Sequence, residues 1–244
     1  MNSEYKSTDK KSILIGTLKI FIPISLSITI ITLVILQFMV ISQKNEIKRD
    51  EWRVTETLLF GLDSDLQDTA INLAYLANQD ELEKLWNSYG SIDGEILSEL
   101  GSDYINISRQ WALYDQVRLL DETGMELLRV NFNGGDPYVV DKKDLQNKSG
   151  RYYFEDAFNL YKGAVFISPL DLNIEQGAIE QPLKPMIRFA TPVIDQFGKK
   201  RGVVLLNYFG EKLLQRFSSD VYTSTGSQLM LLNSDGLLVS RAKS

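Results

Sequence analysis

Around position 150 the chain reads LQNKSGRYYFEDAF, so that Arg151, Tyr152, Tyr153 and Phe154 arrive together after a polar, glycine-containing approach. A guanidinium can hold a carboxylate through two parallel hydrogen bonds, and flanking aromatic rings keep water from that pair. The same residues fit a plainer role. Arg151 would then pair with a surface acid while Tyr152 to Phe154 pack a short helix onto a sheet. A second arginine, Arg188, stands in PMIRFATPV, where strand alternation sets Ile187 and Phe189 on one face and Met186, Arg188 and Ala190 on the other. It adds an anion contact if that face lines a cavity and is a solvent-facing arginine if it does not. Asp171, Glu175 and Glu180 could be read as paired carboxylates for glycoside chemistry, or Asp171 as a hard-cation ligand. In a net-acidic loop with no other catalytic group they read as solvated acids.

Two absences narrow the chemistry further. The 244 residues contain no histidine and no cysteine. Ser-His-Asp triads, Cys-His dyads, HExxH zinc sites, thiol nucleophiles and disulfides are therefore closed to this chain. No catalytic residue, metal site or cofactor is assigned. The formal net charge of −6, with no local basic stripe, argues against nucleic acid as a partner.

The elements that must position these residues follow from hydrophobic period. Residues 44 to about 88 read as a helix, with Trp52, Thr55, Leu59, Leu62, Leu66, Thr69, Leu73 and Leu76 recurring at threes and fours. That seam predicts packing on its own domain in the distal turns and pairing with a second copy, a homodimer contact, near the N-terminal end. NSYGSIDGE breaks the helix, and a short apolar-periodic segment follows at Ile96 to Leu100. The period then shortens. YDQVRLLDETGMELLRVNF reads as a hairpin turning at Glu122-Thr123-Gly124, and GAVFISPLDLN, PMIRFATPVID and RGVVLLNYF as three later strands. FGEKLLQRFSSDV reads as a closing helix, and QLMLLNSDGLLVS opens another hairpin. The order predicts an α+β domain, an antiparallel sheet with helices on one side.

Ahead of this domain lies IFIPISLSITIITLVILQFMVI, Ile20 to Ile41, with no charged residue. It is long enough to cross a hydrocarbon core of ~30 Å. A cleaved signal peptide is the competing reading, but its apolar region should be shorter and end in small residues. Lys6, Lys10, Lys11 and Lys19 before the span are matched by Lys44, Lys48, Arg49 and Arg53 after it, so positive charge sets no orientation. The short tail favours an N-terminus inside.

RYYFEDAF, SPLDLN, IRFATPV and RGVVLLNY together resemble a double Cache sensor module, over about residues 44 to 235. Such modules form the extracytoplasmic input of bacterial histidine kinases, diguanylate cyclases and chemoreceptors. The resemblance implies a first transmembrane helix running into a long helix, two PAS-like lobes, a second span and an output domain. On that reading residues 1–12 are a cytoplasmic tail and residues 13–43 the transmembrane helix, with its core at 20–41. Residues 44–217 form a membrane-distal PAS-like sensor lobe, and 218–244 begin an incomplete membrane-proximal lobe. The chain is then the ligand-sensing portion of a receptor in the bacterial inner membrane. The alternative is a solitary anchored module that binds a ligand or partner without an output of its own. Gly134-Gly135-Asp136 match the first letters of the GGDEF cyclase signature, but Pro137-Tyr138 replace the rest, and a turn explains them.

In amino-acid-sensing members of the family, an arginine stands two residues before Trp and three before Tyr, with a Tyr five before it and an Asp in the lobe's last strand. This chain matches with Arg151, but places Tyr153, Phe154, Gln146 and Asn207 at the other four positions. The resemblance thus implies a small-molecule pocket suited to an anion and lacking the carboxylate that would hold a ligand ammonium. The candidate ligand-binding set is Arg151, Tyr153, Phe154, Phe166, Asp171, Arg188 and Asn207.

Overall fold

The computed structural model describes residues 2–87, 93–175, 177–218, 230–232 and 238–241. Helix α1 (Asn2–Ala77) runs without interruption through the apolar segment and beyond it, with Pro23 inside. The chain divides into two units, one ending in α1 at Glu56 and the other beginning at Thr57.

In the first unit the apolar side chains from Ile13 to Ile41 are all exposed. The hydroxyls of Thr17, Ser27, Thr29 and Thr32 each donate to the carbonyl four residues earlier, at 2.8–2.9 Å. Those polar groups are satisfied within the helix, as a hydrocarbon environment demands. This helix is long and apolar enough to cross a membrane.

In the second unit α1 turns its distal residues inward. Thr69, Leu73 and Leu76 are buried, and Leu62 and Leu66 pack beside them, while Leu59 stays 56% exposed. Trp52, in the N-terminal unit, is 67% exposed. The expected helix to residue 88 is divided at Asn78-Gln79 and resumes as α2 (Asp80–Asn87), whose first turn carries Asp80, Glu81 and Glu83 against the helix dipole. Most of the breaker NSYGSIDGE, residues 88–92, lies outside the described residues. Helix α3 (Gly94–Trp111) is much longer than the expected segment around Ile96 to Leu100. The Asp93 side chain caps its start at 2.9 Å, and Ala112 ends it in a left-handed conformation.

The hairpin follows as β1 (Tyr114–Asp121) and β2 (Glu126–Asn131). Asp121 Oδ1 accepts from the Thr123 amide and hydroxyl and the Met125 amide at 2.7–3.0 Å, which fixes the turn. Gly124 is obligatory there: its φ is 80°, and an added Cβ would lie 2.7 Å from Ser149 backbone. Strand β3 (Tyr138–Val139) lies between 3₁₀ turns at Asn133–Gly135 and Lys142–Asp144, and α4 (Tyr152–Phe158) comes next. The expected strand GAVFISPLDLN is instead two short pieces, β4 (Phe166–Ile167) and β5 (Asp171–Leu172), because Ser168–Leu170 leave the ladder between them. A small hairpin, β6 (Ile174–Glu175) and β7 (Ala178–Ile179), precedes the long strands β8 (Pro185–Ile194) and β9 (Lys200–Phe209). Helix α5 (Gly210–Ser218) follows them, and β10 (Met230–Leu232) pairs antiparallel with β11 (Leu238–Arg241). The expected turn at Ser234-Asp235-Gly236 lies outside the described residues.

All sheet pairings are antiparallel, in the order β3-β2-β1-β9-β8-β4, with β5 also on β8. One face carries Val117, Leu119, Leu128, Ile187, Phe189, Val204, Leu206 and Tyr208 against α1, α2 and α3. The other carries Leu120, Ala190, Val203 and Leu205 beneath Tyr153, Phe154 and Ala157 of α4. Helices therefore cover both faces rather than the one expected. Helix α4 is too short to announce its packing side from sequence period.

Candidate functional site

The site is built on the α4-covered face, where polar residues replace the core. Register aligns Asn131 of β2 with Gln116 of β1, Gln116 with Asn207 of β9, and Asn207 with Arg188 of β8. Four neighbouring strands thus contribute one polar row. The next row is Arg129, Arg118, Leu205, Ala190 and Phe166, where the polar half gives way to the apolar half.

Two β-bulges make this arrangement possible. Between Tyr114↔Tyr208 and Gln116↔Asn207 the extra residue is Asp115; between Leu119↔Leu128 and Leu120↔Glu126 it is Leu127. A regular ladder would set Glu126 on the Leu128 side, facing the apolar core. The bulge turns it onto the arginine side instead. There Glu126 Oε1 lies 3.2 Å from Arg118 Nη1, and Oε2 accepts from Arg129 Nη1 at 3.0 Å and from the Gln146 amide at 3.0 Å.

Arg188 is 2% exposed, which corrects the solvent-facing alternative. Its Nη1 donates to Asp171 Oδ1, its Nη2 to Asn173 Oδ1 at 3.2 Å, and its guanidinium carbon lies 5.0 Å from the Tyr153 ring centre. The Arg151 guanidinium approaches the same ring at 5.7 Å. Arg151 itself is half-buried at the N-cap of α4 and meets no carboxylate among the described residues. Asn207, 1% exposed, donates to Gln116 Oε1 at 2.8 Å, and its own Oδ1 has no hydrogen-bond partner. Gln116 Oε1 also accepts from Arg118 Nη2.

Arg151 and Arg188 thus share the Tyr153 ring, with Asp171 on Arg188 and Asn207 opposite Arg188 in the ladder. Phe154 and Phe166 supply the apolar side. Phe154 stacks on Phe158 at 5.5 Å, and Phe166 meets Tyr152 edge-on at 6.2 Å. Tyr153 and Phe154 also pack α4 onto the sheet, so part of the plainer reading holds.

Several polar groups at the site escaped sequence reasoning. Gln116 and Arg118 were legible in YDQVRLLD, where they alternate with Val117 and Leu119 as Arg188 does with its neighbours. Glu126 was not, since its side depends on a bulge. Tyr152 donates to Asp171 Oδ2 at 2.7 Å, and its phenol pKa is raised, first by burial and then by that carboxylate. Bulged Asp115 meets Lys184 Nζ at 3.3 Å, and Lys184 also meets Glu180 at 2.6 Å. Burial pushes the Asp115 carboxyl upward against the pull of Lys184. Glu180 is thereby a structural ion-pair partner, and Asp171 is engaged by an arginine and a phenol.

A long entering helix, a central antiparallel sheet and a short helix roofing a polar patch make the α+β arrangement that the resemblance to sensor domains implied. Residues 95–239 match the family model for the sensor domain of bacterial histidine kinases, and the chain belongs to that family. A comparison with curated proteins gives no match. Among solved structures it is similar to a domain of a sensory box/GGDEF family protein from Vibrio parahaemolyticus, at 20% identity and TM-score 0.64, over 80% of this chain and 72% of that one. The extracellular domain of the histidine kinase vpHK1S-Z8 matches at 20% identity and TM-score 0.66, over 81% and 70%. The sensory domain of the Campylobacter jejuni chemoreceptor Tlp3 with isoleucine bound matches at 15% identity and TM-score 0.56, over 78% and 66%. These likenesses establish the shared fold. The domain is a sensor module.

Proposed function

We propose that this sensor domain binds a small anionic molecule between α4 and the polar row of the sheet. The observation that carries this reading is Arg188, a buried guanidinium set against Tyr153, beside the Asn207 row and within one ring of Arg151. A planar cation walled by aromatics suits a carboxylate or similar anion. Tlp3, which shares the fold, has been seen with isoleucine bound. Here Asn207 offers an amide oxygen where an ammonium would prefer a carboxylate, which favours an anion over a zwitterion. Screening the full chain in lipid nanodiscs by thermal shift against carboxylates, phosphates, amines and sugars tests the site. The expected hit is an anion whose shift is lost in Arg188→Gln and weakened in Arg151→Ala. A hit untouched by both changes would place the site elsewhere.

Residues 13–43 anchor the domain in the bacterial inner membrane, with the N-terminus in the cytoplasm and the domain outside. Because α1 is a single helix from the apolar segment into the domain, ligand binding that favours one setting of α1 would move the span with it. Such a signal requires the ligand to bind the two settings with different affinity. Trp52 and Leu59, which stay exposed at the N-terminal end of the α1 seam, mark the surface on which a second copy pairs.

A further inference from the structure

Arg188 presents two outward prongs for a bidentate anion, and both are already filled from within the chain. Nη1 is held by Asp171 and Nη2 by Asn173 at 3.2 Å, and both partners belong to the segment from Ser168 to Ile174. With the guanidinium 2% exposed and its face on Tyr153, an incoming carboxylate has no free fork to dock on. Few backbone hydrogen bonds hold the segment to the sheet. The Ser168 amide donates to the Arg188 carbonyl at 2.9 Å, Ser168 Oγ accepts from the Arg188 amide at 2.8 Å, and the Asn173 amide donates to the Lys184 carbonyl at 2.9 Å. Beyond these, β5 pairs two residues with β8, Leu170 packs against the core, Asn173 is bonded to Glu180 through its carbonyl at 3.0 Å and its side-chain amide at 2.8 Å, and the Tyr152 hydroxyl steadies Asp171. A segment with so short a ladder opens at lower cost than the ten-residue central strands β8 and β9.

The geometry points to Asp171 as an internal competitor: a tethered carboxylate that occupies Arg188 until a ligand anion displaces it and frees the Ser168–Ile174 strap. This rests on the reading of Arg188 as the anion contact. It adds that apparent affinity is set by how firmly the strap holds. A tethered group acts at high effective concentration, and only molecules whose strap has lifted accept the ligand. Asp171 would therefore tune specificity, admitting anions that outbid a single carboxylate for the fork.

The test uses the full chain in lipid nanodiscs, titrated with acetate and with succinate while intrinsic fluorescence reports Tm. Asp171→Asn should lower the anion concentration giving half the maximal shift by about tenfold, the gain expected when a mostly closed population opens. Tyr152→Phe, which only loosens Asp171, should shift it the same way by less. Hydrogen exchange at the Ser168 and Asn173 amides should quicken in both variants, with β8 and β9 unchanged. An Asp171→Asn protein that binds these anions equally, more weakly or not at all, or whose strap amides exchange as in the parent, overturns the inference. Weaker binding would make Asp171 a partner for a ligand cation instead. Adding Arg188→Gln separates the two claims: an anion response that survives it sinks the site itself, while one that vanishes leaves the site standing whichever way Asp171 behaves.

Discussion

Glu126 lies between two buried guanidiniums, Arg118 and Arg129, and its side chain is fully shielded from solvent. Removing one partner of a buried ionic cluster leaves uncompensated charge in a poor solvent, at a cost of about 3–5 kcal/mol. Glu126→Gln is therefore expected to lose about that much stability, read as a lower chemical-denaturation midpoint with an unchanged slope. Asp115 behaves differently, because burial outweighs Lys184 and its pKa rises above the ordinary carboxylate value. A carboxyl whose folded pKa is raised binds its proton more tightly in the native state. Its contribution is complete below the ordinary value and is lost as pH climbs through the raised one. Asp115→Asn escapes that loss, and Lys184 keeps Glu180 as a partner. The variant's Tm should therefore gain on the parent's as pH climbs above the ordinary carboxylate value; a gap that stays constant or shrinks would contradict the assignment. At this scale much of the candidate site was legible. Arg151, Tyr153, Arg188 and Asn207 could be chosen from residue type, spacing and family pattern, and Arg188 from alternation. The gaps are residues whose facing depends on an extra residue in a strand. Glu126 reaches the arginines only because Leu127 bulges, and Asp115 is itself the bulge. A period of two cannot announce its own interruption.

Among the elements, the long hairpin of β8 and β9 and its neighbour β1 were plain from their apolar runs, whereas β4 and β5 fell short of the strand expected there. Two-residue ladders carry too little pattern to be distinguished from loop. The junction of β1 with β9 is also very tight. A Cβ built on Gly202 would fall 2.0 Å from the Leu120 carbonyl oxygen, backbone that cannot step aside. Gly202→Ala should force the strands apart and lower stability by roughly 3 kcal/mol or more, as overpacking does at its upper range. A variant with parental Tm would show that the strands have slack there. Helix α1 offers the opposite contrast along one seam. Leu73 is wholly buried, so Leu73→Ala should cost about 2–5 kcal/mol by leaving a cavity. Leu59, more than half exposed, should tolerate Ala in thermal unfolding of the monomer. If its face meets a second copy, the same change should weaken self-association measured by single-molecule subunit counting in nanodiscs.

For the whole molecule, the proposed anchor makes a testable claim about which side of the membrane holds the sensor. The four basic residues on each flank of the apolar segment balance, so flanking charge gives no direction. A domain of this size can cross a membrane largely regardless of nearby charge, which supports the outward orientation proposed above. The absence of cysteine makes the orientation directly measurable, because any thiol introduced is the only one present. Lys162 is exposed, so Lys162→Cys presents a reactive thiol on the domain with little disturbance to its core. In intact bacterial cells with a permeabilised outer barrier, a membrane-impermeant maleimide should label this variant fully. A cysteine placed at Ser3, ahead of the apolar segment, should react only after the inner membrane is opened. The reverse pattern would put the sensor in the cytoplasm, and labelling of both without lysis would mean that the apolar segment does not cross the membrane.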